Sequence, residues 1–489
     1  NEASDGLYSY DGVNWNAPGG GIASVTSAEK AALSPSIGDF VYDTDLSSLQ
    51  RYNGSVWVSV ANGYGLIEVV RDSDNGMPTY FIDLQSALDT CKTSGTYNTV
   101  KLHDNVTTTQ INITTGFLCD WLTIDLNGFK ITNSEIDTSY TLNIDASSIK
   151  VRILNGEIRR EGGTGYNMVL NDTYVEMSKL YWYSNSSNNL FIDGDFNYDL
   201  GGSILDCDIS VGNANDFKTG IFSNFTILQS NSAHALRIFN NTEVNRFSIF
   251  CTGTAKGIYT NGTNVNVSNF TVETNSGFCI DGVSSSGIFN NFRAKSVTGY
   301  CVYAVDSASN FYAETGDKKA VYMFLGKGIS NFTAVNNSSS SETVLFQRSD
   351  NFSQGTMTNL GSGSACVIQR TNSSGNLNGS HLKFYSVGGI ALKLTNTFAS
   401  GMVSISNSYA YSSWDNAGGH ACQVTSATGD YEIINSTFKV ENASANGLHS
   451  SVAVDVDAVN NVFINSTTAI NANVTVNAST DLGNGNTSI

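Results

Sequence analysis

The stretch "NVSNFTVETNSGFCI", residues 266–280, decides the fold. Its core, "SNFTV" at 268–272, has close copies on both sides. Upstream stand "SNFTI" at 223–227 and "NRFSI" at 245–249. Downstream stand "NNFRA" at 290–294, "SNFYA" at 309–313 and "SNFTA" at 330–334. The phenylalanines fall at 225, 247, 270, 292, 311 and 332, separated by 22, 23, 22, 19 and 21 residues. The second half of the stretch, "GFCI" at 277–280, recurs midway between them. Its copies are "ALRI" at 235–238, "GIYT" at 257–260, "GYCV" at 299–302 and "AVYM" at 320–323. Short alternating strands at a period near 20 describe a coil stacked on itself, and no helical periodicity competes with that reading.

Stacking places each residue about 4.8 Å above its counterpart in the coil below. Inward phenylalanines then lie on one another. Asn224, Asn269, Asn291, Asn310 and Asn331, each just before its phenylalanine, form a ladder at a bend. Asparagine tolerates the left-handed backbone a bend requires, and its amide can bond to the amide above. The pattern continues more loosely as "LTIDLNGFKI" at 122–131, "VRILNGEI" at 151–158, "GIALKL" at 389–394, "YEIINSTF" at 431–438 and "VNNVFINS" at 459–466. In "YFIDLQSALDTCKTSG", residues 80–95, Phe81, Leu84, Ala87, Leu88 and Cys91 recur at helical spacing. A short amphipathic helix there would close the open first edge of the coil. The expected fold is therefore all-β: a right-handed parallel β-helix with coils of about 22 residues and a short capping helix, preceded by a small N-terminal β-hairpin domain. The expected divisions are residues 1–65, 66–121 and 122–489.

Composition agrees. The 489 residues include 46 Gly and 3 Pro, and Asn, Ser and Thr abound, which favours strands and turns. Only 14% of residues are charged, yet the net charge is −18. Nucleic acid and anionic membrane surfaces need clustered Lys and Arg, so neither is an expected partner. No apolar run approaches the roughly 18 residues of a membrane helix, so no insertion is expected. The eight cysteines are scattered singly and read as buried thiols. Asn-x-Ser/Thr triplets, as at Asn224, Asn269 and Asn331, would be glycan acceptors in a eukaryotic secretory product; in a bacterial host they are products of an Asn/Ser/Thr-rich chain, the reading favoured here.

The first 65 residues lack the repeat. "LYSYDGVNWN" at 7–16 and "LQRYNGSVWV" at 49–58 each place Tyr, Asp or Asn, Gly and Trp at matching positions, the mark of two hairpins. Tyr10 and Trp15, and Tyr52 and Trp57, are expected to pack across their strands. An isolated hairpin is marginal in water, so these four rings are the expected attachment surface.

Two resemblances follow. "F-x-x-L-Q-x-A-L", then "TVKLHDNVT" and "TIDLNGFKIT", resembles the pectate-lyase-like right-handed parallel β-helix proteins over about residues 66–480. That family includes lyases, hydrolases and structural fibres, so it implies fold more than activity. Residues 27–60 resemble a segment of bacteriophage tail-fibre and virion appendage proteins, through Ser36, Gly38, Tyr42, Asp43, Thr44, Leu49, Tyr52, Gly54 and Trp57. The second resemblance implies a homotrimeric appendage on a virion, joined to other tail proteins through residues 1–65 and binding a host cell-surface polysaccharide. A polysaccharide lyase or glycoside hydrolase on the same fold, and a secreted bacterial adhesin, are the alternatives. The last coil, "NANVTVNAST", leaves little sequence to cover its far edge, so another chain is expected to do so.

Candidate chemistry is sparse. Three residues past the phenylalanines stand Leu228, Phe250, Glu273, Lys295, Glu314 and Val335. Glu273 and Glu314 would lie about 9–10 Å apart, near the upper end of the separation of inverting glycosidase carboxylates, or else share a solvated charge ladder with Lys295. Asp193, Asp195, Asn197 and Asp199 offer oxygens at alternate positions as a candidate calcium loop, although the EF-hand pattern fails at Tyr198 and Ile204. Lyases of the resembled fold use calcium with an Arg or Lys base. The five His are isolated and read as surface or turn residues. Cys279 and Cys301 occupy matching positions of neighbouring coils. Exposed rings among Asn and Asp mark glycan binding, which singles out Tyr181, Trp182, Tyr183, Tyr409, Tyr411 and Trp414.

Overall fold

The repeat becomes a parallel β-solenoid in the computed structural model. The structure describes residues 9–10, 15–16, 23–44, 48–52, 54–59, 66–476 and 487–488. Excepted within that span are 93, 136–139, 147, 163–165, 172, 185–189, 194–202, 206, 211–214, 218–219, 230–233, 241, 286, 325–326, 338–339, 348–350, 371–375, 398–400, 416–417, 427 and 467–468. Two long stacks carry the fold, one of 27 strands and one of 15. In the central coils the first stack receives a bent strand, such as Asn266–Thr274, and the second a shorter one, such as Ile280–Ser285. One continuous apolar core runs between them from Ile67 to Val474.

The bend has a single cause. Asn155, Lys179, Asn224, Arg246, Asn269, Asn291, Asn310, Asn331, Gln354, His381, Asn407, Asn435 and Asn460 all have φ between +48° and +58°. A left-handed residue turns the strand without leaving the sheet, and asparagine accepts that backbone at least cost. The ladder bonds run from the Asn291 amide to Asn269 Oδ1 at 2.5 Å and from the Asn331 amide to Asn310 Oδ1 at 2.7 Å. Asn310 instead reaches Asn290 Oδ1, at 2.8 Å. The period is not uniform. Asn291 to Asn310 is 19 residues, whereas Asn407 to Asn435 is 28, so a 22-residue coil describes only the centre.

The phenylalanines stack as expected. Register pairs Phe225, Phe247, Phe270, Phe292, Phe311 and Phe332 in sequence, with ring centroids 4.7–5.4 Å apart. The column ends at Gly355, which pairs with Phe332. A Cβ there would lie 2.3 Å from the Phe332 ring, so glycine is required. Beyond it the same column holds Leu382, then buried Ser408, Ser436 and Asn461. There the backbone N–H of Leu382 donates to Ser408 Oγ (3.2 Å), that of Ser408 to Ser436 Oγ (3.2 Å) and that of Ser436 to Asn461 Oδ1 (2.9 Å). Side-chain oxygens thus take the N–H groups of these residues while their carbonyls keep the backbone ladder, as from Tyr409 N–H to Leu382 (2.8 Å), and the bent strand splits in two, as in Met402–Ser406 and Tyr409–Ser412. A second buried polar column closes each bent strand. Thr274 donates to the Gly277 carbonyl (2.8 Å), Thr315 to Gly299 (2.8 Å) and Ser412 to Gly389 (2.8 Å). Such bonds are what let a hydroxyl sit in an apolar core.

The first edge is closed by two devices. Ile67–Arg71 pairs antiparallel with Ser94–Leu102, and Pro78–Phe81 pairs antiparallel with Ile67–Arg71, so a reversed hairpin covers the first stack. The helix Leu84–Thr90, capped by the Asp83 carboxylate, serves the second stack. Its Gln85 amide donates to the Asn112 carbonyl (3.1 Å) and accepts the Asn112 N–H (2.7 Å), as a neighbouring strand would. Leu84, Ala87 and Leu88 are buried as expected, but Phe81 ends a strand and lies outside the helix.

In the N-terminal region Ala23–Val25, Phe40–Asp43, Ser48–Tyr52 and Trp57–Ser59 form a four-stranded sheet. Helix Ser27–Ala31 carries a capping box between Thr26 and Glu29. Its Lys30 reaches the fully buried Asp43 carboxylate at 2.5 Å, and Ser27 Oγ donates to the same group. Ser9–Tyr10 pairs with Trp15–Asn16, and Ser48–Tyr52 with Trp57–Ser59, both antiparallel. Tyr10 faces Trp15 in register, and Tyr52 faces Trp57 with rings 5.5 Å apart. The side chains of Tyr10 and Trp15 lie outside the described residues. Both connections span four residues, so they are wider than a two-residue turn.

Candidate functional site

Two outer surfaces of the solenoid stand out. The first is a groove of about 870 Å³ along the outside of the bend. One side is the ladder Asn224, Arg246, Asn269 and Asn291, and the floor is the edges of Phe225, Phe247, Phe270 and Phe292. The other side is the outward column Thr226, Ser248, Thr271 and Arg293. Each column repeats at the strand spacing, so amides, hydroxyls and guanidinium groups line a polar channel along the rod axis. No carboxylate among the described residues lines it. Glu273, two residues past Thr271 on the same strand, pairs in register with Lys295.

The second surface is a platform of rings on the outer face of the second stack. Phe278 stacks on Tyr300 at 5.2 Å, and Tyr303 meets Tyr322 edge-on at 5.2 Å. Phe278 and Tyr303 are 5.0 Å apart, and Tyr300 and Tyr303 5.6 Å, so the two columns join. Phe324 adds a fifth ring, 6.4 Å from Tyr322. All five rings are half-buried. Lys256 lies over Phe278 and Lys319 over Tyr322, while the Tyr322 hydroxyl donates to Gln347 Oε1 at 2.8 Å. Half-burial holds each ring in one orientation and leaves a face or edge in water. Four of these rings sit in "GFCI", "GYCV", "AVYM" and the residue after "GYCV", segments whose period revealed the strands. The signal for the platform was an aromatic residue at the outward position of those same strands.

The residues singled out from sequence fare differently. Glu273, Lys295 and Glu314 do stack in register. Lys295 Nζ lies 3.4 Å from Glu314, whose carboxylate also accepts from Tyr312 (3.1 Å) and Asn337 (2.9 Å). Partial burial pushes the Glu314 pKa up, but the Asn337 and Tyr312 bonds and Lys295 outweigh it and hold the group below the usual range. A general acid needs the opposite shift, so the surroundings are those of a charge ladder.

Trp182 is corrected outright. Its side chain is fully buried in the core and presents no surface to a glycan. Strand alternation turns Tyr181 and Tyr183 outward, and Arg159 stacks on Tyr183 at 4.4 Å while paired to Glu157 at 2.6 Å. Tyr409 and Tyr411 share an outer face. Tyr409 lies 5.8 Å from Tyr385; Tyr411 has Lys439 over its ring at 4.9 Å and donates to Glu441 at 2.7 Å. That bond to Glu441 pushes the Tyr411 pKa up to about 12. Trp414 is half-buried beside Gly419.

Asp195, Asn197 and Asp199 of the candidate calcium loop, and the side chain of Asp193, lie outside the described residues. Among the described residues no group of three or more His, Cys, Asp or Glu side chains could hold a metal, and no helix is long and apolar enough to cross a membrane. Cys279 and Cys301 are buried, free and in register, and burial raises the Cys301 thiol far above its ordinary value. Cys91, Cys119, Cys251, Cys366 and Cys422 are buried and free as well. His420 and His449 depart from the expected surface placement. Their rings stack at 3.8 Å, with His420 only 7% exposed.

No protein-family model matches the chain, and neither a curated protein nor a solved structure matches it. The class defined by the fold is that of the parallel β-solenoids.

Proposed function

We propose that the chain is the rod of a bacteriophage tail-fibre or tailspike-like appendage, and that it adheres to a host cell-surface polysaccharide. The observation that carries adhesion is the platform of Phe278, Tyr300, Tyr303 and Tyr322. A pyranose has an apolar C–H face that stacks on an aromatic ring, and rings already held by their neighbours lose little freedom on binding. Gln347, Lys256 and Lys319 at its margin offer hydrogen bonds to sugar hydroxyls. The place on a virion rests on the resemblance of residues 27–60 to phage appendage proteins. In this proposal residues 1–65 join other tail proteins, and three copies make the mature rod.

Adsorption of the purified chain to host cells and to a glycan array tests adhesion. The double variant Tyr300→Ala/Tyr303→Ala is expected to bind about tenfold more weakly at an unchanged melting temperature. Equal binding by variant and parent would sink the platform reading. Sedimentation equilibrium tests the trimer, which a monomer mass would refute.

A further inference from the structure

The groove beside the bend carries a second, chemically different site. Arg246 and Arg293 both face it, and both side chains are exposed. Arg246 makes no ion pair among the described residues. The Arg293 guanidinium lies over the Tyr312 ring, 5.5 Å from its centroid, and makes no ion pair among the described residues. Several cations are held by acids, Arg152 by Glu176, Lys295 by Glu314 and Lys327 by Asp306 among them. What distinguishes Arg246 and Arg293 is their place: in a chain with 43 acidic and 25 basic residues, they share one groove on which no described carboxylate lies.

We infer that this groove binds a linear anionic polysaccharide, one bearing carboxylate or sulfate groups, laid along the rod axis. Arg246 lies two coils before Arg293, so the two cations are offset by about 10 Å along the axis. That offset suits a polymer whose charges repeat, more than a single small anion. Between the two, the Asn269 and Asn291 amides and the Ser248 and Thr271 hydroxyls bond to sugar hydroxyls. Arginine holds a carboxylate or sulfate through paired N–H donors. The net charge of −18 does not forbid this, because charges beyond about 8 Å are largely screened at physiological salt. The site is independent of the ring platform, which faces outward from the other stack and takes uncharged sugar faces.

The test uses the full chain with hyaluronan, chondroitin sulfate, dextran and a single-stranded DNA oligonucleotide as probes, read by calorimetry. The two anionic glycans are expected to bind, and more weakly as salt rises from about 0.05 to about 0.5 M. Arg246→Asn restores the residue that most other coils use at the bend. Combined with Arg293→Gln, it is expected to weaken anionic binding at least about tenfold. On a Tyr300→Ala/Tyr303→Ala background the arginine pair is expected to weaken anionic binding by the same factor, which separates this site from the platform. Dextran is expected not to report on the arginines. Four results would overturn the inference: no binding of either anionic glycan, binding indifferent to salt, equal binding by the double variant, or DNA held as tightly as hyaluronan. The salt series needs only the parent chain, so a poorly folding variant does not blunt the test.

Discussion

Asn291 sits at φ +53° with its amide bonded to Asn269, and twelve other described residues at the bend repeat that backbone along the rod. The side chain projects into solvent, which is why Lys179, Arg246, Gln354 and His381 also serve, despite a preference for asparagine. Asn291→Ala keeps the left-handed strain and loses the ladder bond. It is expected to destabilise by about 1–2 kcal/mol, and Asn291→Gly by less, measured as shifts in melting temperature. The same geometry accounts for the triplets at Asn224, Asn269 and Asn331. Asparagine makes the bend, phenylalanine fills the core and threonine faces out, which spells Asn-x-Thr without reference to any glycan. His420 is the other telling residue. Its Nδ1 accepts the Asn446 N–H at 3.0 Å and its ring stacks on His449, so the fold needs the neutral form. Burial lowers its pKa from 6.5 to about 4, and that of His234 likewise to about 4. With folded values below the unfolded one, the stabilisation is whole above pH 6.5 and is lost as pH falls toward about 4. Melting temperature is expected to drop across that window, and His420→Gln to flatten part of the drop.

The coil is the unit that reads the repeat. Six stacked phenylalanines give each central coil the same large inward group, so neighbouring coils match without adjustment. Phe270→Ala opens a cavity between two rings and is expected to cost about 3–5 kcal/mol, seen as a lower melting temperature. Gly355→Ala tests the end of the column. Its methyl would meet the Phe332 ring, so it too is expected to destabilise although it adds a single carbon. Where the rings give way to Ser408, Ser436 and Asn461, hydrogen bonds between side chain and backbone take over the register. These coils are longer and more varied, which is why their sequence repeats less visibly.

For the rod as a whole, the hazard is the open edge. The Ile67–Phe81 hairpin and the Gln85 amide occupy hydrogen-bonding groups that would otherwise recruit strands from other molecules. Deleting residues 1–65 leaves these devices in place, whereas deleting residues 1–93 removes them. The longer deletion is expected to aggregate and the shorter to stay free of aggregate, as read by size-exclusion chromatography with light scattering. The N-terminal sheet has its own anchor in the buried Asp43 carboxylate held by partly exposed Lys30, which places the Asp of "YDT" at a structural position.

The period and its strand pattern were enough to read the solenoid, the stacked phenylalanines, the asparagine bend and the Glu273–Lys295–Glu314 register. All four follow from one rule, that a residue meets its counterpart one coil away. The helix start was misread by one turn, because Phe81 fits helical spacing although Asp83 caps the helix after it. The surfaces were less legible. "YWYSNSSNN" looked like an exposed aromatic cluster, yet alternation buries Trp182. The rings of the platform are spread over 47 residues, from Phe278 to Phe324, and are gathered only when the coils stack. The groove likewise needs Arg246 and Arg293 on one channel and the described carboxylates off its lining. Periodicity passes through local sequence because each coil obeys it separately. Which side chains share a face, and which charges are left unpaired there, depends on the bend angle and on neighbours far apart in the chain, and so was settled only by the folded coil.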